Sequence, residues 1–157
     1  MSHVTFLPGM RGPLLRELVE AHEMDDAATS FPNIEVLADA LGQLSERLGS
    51  PILWPVGNAA ERLVGATILR GRGSVRVRGS ATDLNDERVL LVTVSAVTAL
   101  ELTATADYAR RFGASDVQAC AVALSRQPES SGMTKVDAWH DLGASRSESA
   151  ELVSLAR

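Results

Sequence analysis

Two short stretches carry residues able to do chemistry on a small ligand. One runs Thr93-Val94-Ser95-Ala96-Val97-Thr98-Ala99-Leu100-Glu101, between an apolar run and a helical pattern. The other is Pro55-Val56-Gly57-Asn58, between a shorter apolar run and a second helical pattern. A helix that starts directly after a strand presents free backbone N–H groups and a partial positive charge, which suits a phosphate. Turns of this kind occur throughout α/β proteins, so the feature alone names no ligand.

The segment from Glu87 to Leu124 must position the first stretch. Val89 to Val94 has the length and branching of a buried strand, the helical pattern after it stops at Gly113, and Val117 to Leu124 reads as a second strand. A strand–helix–strand crossover predicts parallel strands. The second stretch sits between an apolar strand, Pro51 to Gly57, and a helix that runs to Gly71; Asn58 and Glu61 form a capping-box-like pair at its start. Upstream, Pro13 suits the first position of a helix with Leu14, Leu15, Leu18 and Val19 on one face. A polar loop of His22, Glu23, Asp25 and Asp26 ends that pattern. Asn33 is placed to cap a second helix, striped by Ile34, Leu37, Leu41, Leu44 and Leu48, with Gly49 ending it. Ser74 to Gly79 alternates valine and arginine, as a half-buried strand does. Ser80 to Glu87 reads as a polar loop, Lys135 to Leu142 as a short extended edge element, and Ser145 with Glu148 as the start of a last helix through Leu152, Val153 and Ala156.

These elements predict a three-layer α/β architecture: an open, mostly parallel sheet with helices on both faces. The expected organisation is an N-terminal helix and loop extension over 1–32, an α/β core over 33–124, and a C-terminal linker and short helix over 125–157. Ligands of such sheets sit at the carboxyl ends of the strands, where both stretches fall.

Length and charge bound the partners. At 157 residues the chain suits one domain with a real core. A formal charge of −5 argues against bulk binding to nucleic acid or to an anionic membrane. No apolar run approaches the ~20 residues of a membrane helix. The N-terminus lacks a basic segment followed by an apolar one. The single cysteine, Cys120, reads as a buried thiol and fits a reducing compartment, so a cytoplasmic location is expected. A homodimer is the simplest expected assembly.

Other chemistry-bearing residues have bland readings. His22 and its acidic neighbours match no ligand spacing and read as a solvated helix end. Arg70, Arg72, Arg76, Arg78 and Arg88 suit either an anion patch over the cleft or the solvated face of an edge strand; the second is simpler. No aromatics interleave with them, so a nucleic-acid face is not expected. His140 and Asp141 are adjacent in an extended segment and point opposite ways.

From Asn33 to Leu124 the order and spacing of elements resemble the type I phosphoribosyltransferases. That family has a strand ending in two acidic residues, then a loop of small residues, threonines and glycine, then a helix. The loop wraps the 5-phosphate of phosphoribosyl pyrophosphate, the acids hold ribose hydroxyls, and magnesium bridges ribose and pyrophosphate. On that pattern Thr93 and Val94 stand where the acids belong, and Ser95, Ala96 and Val97 form the turn. Thr98 matches a loop threonine, Ala99 replaces glycine, Leu100 takes the small position and Glu101 replaces the last threonine. Gly57 and Asn58 stand where the family binds pyrophosphate, and Trp139 where some members stack a base, although packing is its simpler role.

The resemblance implies a phosphoribosyltransferase-like fold with a degenerate phosphate loop. Thr93, Ser95, Thr98 and Glu101 are its vestigial ligand-binding residues, with Gly57 and Asn58 as a second loop. The implied function is a nucleotide- or phosphometabolite-binding regulatory domain that has lost transfer. A structural homodimer without ligand, and an active transferase drawing carboxylates from Asp83, Asp86 or Glu101, are the alternatives. No cofactor is required, and magnesium would enter only with a phosphoribosyl pyrophosphate-like ligand.

Overall fold

The computed structural model describes residues 13–71, 75–77, 84–96, 100–124 and 136–142. The elements are α1 (Pro13–Thr29), α2 (Asn33–Arg47), β1 (Ile52–Pro55), α3 (Asn58–Leu69), β2 (Arg76–Val77), β3 (Arg88–Ala96), α4 (Leu100–Arg111), β4 (Asp116–Leu124) and β5 (Ala138–Asp141). The strands form one parallel sheet in the order β2-β1-β3-β4-β5. The two apolar runs of the crossover unit lie at its centre, paired from Arg88 with Asp116 to Ala96 with Leu124.

Alternation along the central strands divides the core into two layers. Leu90, Val92 and Val94 join Leu53, Cys120 and Val122 against Ala28 of α1, Leu37, Leu41 and Leu44 of α2, and Leu63 and Val64 of α3. Val89 and Leu91 join Trp54, Val117 and Ala119 against Leu102, Ala106 and Ala109 of α4. Burial of both faces is why β3 and β4 read as continuous apolar runs. The α/β class, the parallel pairing and helices on both faces match the sequence expectation. The edge element expected over Lys135 to Leu142 is β5. Among the described residues no helix is long and apolar enough to cross a membrane.

Three local expectations are corrected. The first helix does not end at His22 but continues to Thr29. His22, Glu23 and Asp26 are exposed, Asp25 is half-buried, and Met24 and Ala28 pack into the core. Asn33 is not a cap: Pro32 holds that position without a side-chain bond. Asn33 is instead buried, and its Nδ2 donates to the Ala27 carbonyl at 3.0 Å, tying the end of α1 to the start of α2. Asn58 is likewise the first helical residue of α3, with Gly57 at the cap. The last helix expected from Ser145 lies outside the described residues.

A carboxylate fastens the outer strand. Asp137 Oδ2 accepts the Val117 N–H at 2.8 Å, and the Asp137 N–H donates to the Val117 carbonyl at 2.7 Å. That bond, aided by Arg110, holds the Asp137 carboxyl below its ordinary 3.8. Its contribution is present above that value and is lost as pH falls through the lower folded value. Asp137→Ala should destabilise the protein by about 1 kcal/mol at neutral pH, because it strips a buried N–H of its acceptor. Urea titrations should show the deficit shrinking in acid.

Candidate functional site

From β1 the chain moves outward to β2, then returns to place β3 on the other side of β1. The winding direction therefore reverses between β1 and β3, and a crevice opens at the carboxyl ends of such a pair. The Val56 N–H donates to the Val92 carbonyl at 2.8 Å and holds the exit of β1 against β3. Gly57 follows at φ 93 and ψ 161, a conformation reserved almost wholly for glycine. A Cβ built on Gly57 meets nothing within 4 Å, so the backbone and not crowding demands glycine there. The first helical bond of α3 runs from the Glu61 N–H to the Gly57 carbonyl at 3.1 Å, and no side chain caps the turn. Asn58 is exposed beside it.

The end of β3 lacks the carboxylates of a transferase site. Val94 is 1% exposed and lies in the core layer under α1, α2 and α3. Thr93 is buried, and its hydroxyl donates to the Ser95 carbonyl at 3.1 Å. Ser95 Oγ lies 2.9 Å from Asp25 Oδ1 and 3.5 Å from the Ala21 carbonyl, both on α1. Glu101 is exposed in the first turn of α4, where a carboxylate complements the helix dipole. Thr98 lies outside the described residues.

Asp25 is the site residue that the sequence pattern does not reveal. It falls in a stretch with the composition of a loop, and its partner is 70 residues away. Half-burial pushes its carboxyl above 3.8; the Ser95 hydrogen bond and nearby His22 oppose this, and Asp26 adds to it. The folded chain thus keeps this proton to a higher pH than the unfolded chain. The associated stability is fully present below 3.8 and is lost as pH rises through the folded-state value. Asp25→Asn keeps an acceptor for Ser95 and cannot titrate. The difference in melting temperature between variant and wild type should shift in the variant's favour from acid to neutral pH.

No protein-family model, curated protein or solved structure matches this chain.

Other candidates lie away from the crevice. Arg70 binds both oxygens of Asp39, at 2.7 and 3.0 Å, and Glu35 at 3.1 Å. Arg76 makes a two-pronged pair with Glu87 at 2.6 and 3.0 Å. Arg88 opens β3 at its amino end. Arg76 therefore lies on the edge strand β2, as the solvated-face reading expects, whereas Arg70 caps α3 and Arg88 belongs to an interior strand; Arg72 and Arg78 lie outside the described residues. Asp86 precedes the amino end of β3, its N–H bound to the Gly113 carbonyl at 2.9 Å, so it stands the length of a strand from the crevice. Asp83 lies outside the described residues. Burial pushes the Cys120 thiol up, which suits packing and not nucleophilic attack.

On β5, Trp139 packs with the α4-side layer at the level of Ala119, below the carboxyl ends. Its Nε1 is buried without a hydrogen-bond partner among the described residues. His140 Nε2 contacts Gln118 Oε1 at 2.7 Å, and Gln118 donates to Asp116 at 2.7 Å. Burial, then Arg47, hold the His140 imidazole below its ordinary 6.5. Among the described residues no three His, Cys, Asp or Glu side chains gather as a metal site.

Proposed function

We propose that this chain is a phosphoribosyltransferase-like protein without transferase activity. It binds a nucleotide or phosphorylated metabolite in the crevice between β1 and β3 and acts as a regulatory domain. The observation that carries the loss of transfer is the end of β3, where Thr93 spends its hydroxyl on the Ser95 carbonyl and Val94 is buried. Val94 has no acceptor, and Thr93 offers a single neutral oxygen in place of the charged pair that a carboxylate presents to ribose hydroxyls. Retention of a ligand is supported by the open turn at Gly57 and Asn58, at the point where the sheet reverses. Magnesium would arrive as the partner of a phosphorylated ligand, and no step is assigned to it.

Melting curves with phosphoribosyl pyrophosphate and nucleoside monophosphates, with and without magnesium, test the proposal. A ligand at a hundred times its dissociation constant adds about 2.7 kcal/mol to stability. The expected result is a higher melting temperature with at least one phosphorylated ligand and no pyrophosphate release with any base. Turnover would overturn the loss of transfer, and no shift with any compound would overturn the ligand.

A second reading, a homodimeric interaction module, is favoured by exposed apolar side chains. Leu69 is 88% and Phe31 76% exposed, and Ile68 is exposed too. The Arg70 pairs with Glu35 and Asp39 bring the end of α3 beside the start of α2, so these side chains belong to neighbouring turns. Light scattering that reports a dimer, lost in Leu69→Ser, would support this reading.

A further inference from the structure

β5 is held to the sheet by different devices at its two ends. At the first, Asp137 exchanges two bonds with Val117, carboxylate to N–H at 2.8 Å and N–H to carbonyl at 2.7 Å, and pairs with Arg110 of α4 at 3.1 Å. At the second, His140 Nε2 lies 2.7 Å from Gln118 Oε1, and the Leu142 N–H donates to the Ala121 carbonyl at 2.8 Å. Gln118 Nε2 donates to Asp116 Oδ2 at 2.7 Å, which turns the amide oxygen toward His140. An amide oxygen only accepts, so the imidazole hydrogen sits on Nε2 and a second proton must enter at Nδ1. That proton leaves the Gln118 bond in place and adds charge to a half-buried ring. Burial disfavours the charge most, and Arg47 of α2 opposes it too; among the described charged groups that act on the ring, only Asp116 of β4 favours it.

We propose that β5 is a proton-sensitive clasp, hinged at Asp137, whose His140 end leaves β4 in mild acid while the rest of the sheet stays folded. A released His140 stands in water and away from Arg47, so it takes its proton at the ordinary 6.5, and the docked ring takes it only at lower pH. The docked end is therefore favoured above 6.5 and loses that advantage as pH falls through the docked value. Asp137 stays ionised over this range, because its carboxyl is held below 3.8, and it keeps the other end fastened. The strand suits local opening, since it has four residues at the sheet edge and none of them is fully buried. Release bares the backbone of Cys120 and Ala121 and the side chain of Leu142. The protein then presents in acid a pairing edge that it hides at neutral pH.

Amide hydrogen exchange of the full chain tests the clasp, followed by NMR from about pH 8 to about pH 5 and corrected for the intrinsic exchange rate at each pH. Protection of the Leu142 N–H should fall severalfold in mild acid, while that of the Asp137 N–H holds. His140→Gln keeps a donor for Gln118 and cannot titrate, so its Leu142 protection should stay level across the range. Arg47→Gln removes the opposing charge and should shrink the fall seen in wild type, which keeps the question answerable if His140→Gln does not fold. Circular dichroism checks that each variant folds. No fall at Leu142 in wild type, or a fall of the same size in His140→Gln, would overturn the clasp. Equal losses at Leu142 and Asp137 would overturn the hinge, and a wild-type fall in Arg47→Gln would overturn the part given to that charge.

Discussion

Val94→Asp is expected to destabilise the fold by roughly 3–5 kcal/mol, much of the 5–15 kcal/mol that a domain of this kind commonly has. The position is 1% exposed and shares its layer with Leu53, Leu90, Val92 and Val122. A carboxylate there would lose its water without meeting a cation, since the neighbours in that layer are apolar side chains. Val94→Ala removes only methyl groups and should cost about 2 kcal/mol. Urea denaturation followed by the fluorescence of Trp54 and Trp139 measures both. The gap between the two variants isolates the cost of charge from the cost of lost packing. A Val94→Asp protein as stable as Val94→Ala would mean that the side chain reaches solvent at the crevice, and the account of a carboxylate-free β3 would fail. The result bears on function too, since restoring an acid at this position cannot restore chemistry if the strand presents it to the core.

Gly57→Ala is expected to cost about 1–3 kcal/mol, although the new methyl group touches nothing. A Cβ built at Gly57 has open space around it, so the cost comes from forcing an L-residue to φ 93 and ψ 161. The comparison is Ala59→Gly, in the first turn of the same helix, which should cost about 1 kcal/mol through helix propensity, plus the packing of its methyl group against the core. Gly57→Ala should also weaken any ligand held at the start of α3, because relieving the strain swings the turn from its place. Melting curves with and without nucleoside monophosphate separate the two effects. A variant with wild-type stability and wild-type ligand response would remove the strained turn from the account.

The sheet was legible because its two central strands are buried on both faces. Val89 to Val94 and Val117 to Leu124 have no polar alternation to confuse them with surface strands, and the glycine-ended helix between them forces a parallel crossover. The reach of α1 was not legible. His22, Glu23, Asp25 and Asp26 have loop composition, yet Met24 and Ala28 keep the helical stripe in register and decide the matter through tertiary packing. Side-chain caps misled for a related reason. Asn33 and Asn58 are both good caps by type, but burial gave Asn33 the Ala27 carbonyl, and the positive φ of Gly57 placed the turn one residue earlier.

For the candidate site residues, the places in the fold were legible and the chemistry was not. Gly57, Asn58, Thr93, Ser95 and Glu101 lie at strand exits or helix starts, as element order alone requires. That Ser95 donates to a carboxylate on α1 depends on how a distant helix crosses the sheet, which no local pattern encodes. The arginines carry the converse lesson. Their spacing suggests an anion patch, yet Arg70 and Arg76 are taken by Asp39, Glu35 and Glu87.

The most direct test of the central claim is an amide NMR titration of the whole chain with a nucleoside monophosphate. The account predicts saturable shifts at Gly57 and Asn58, with a second set at Ser95, and no comparable change at Arg76 or Asp86 at the other end of the strands. Shifts confined to the amino-end arginines, or none at saturating ligand, would contradict a ligand crevice between β1 and β3.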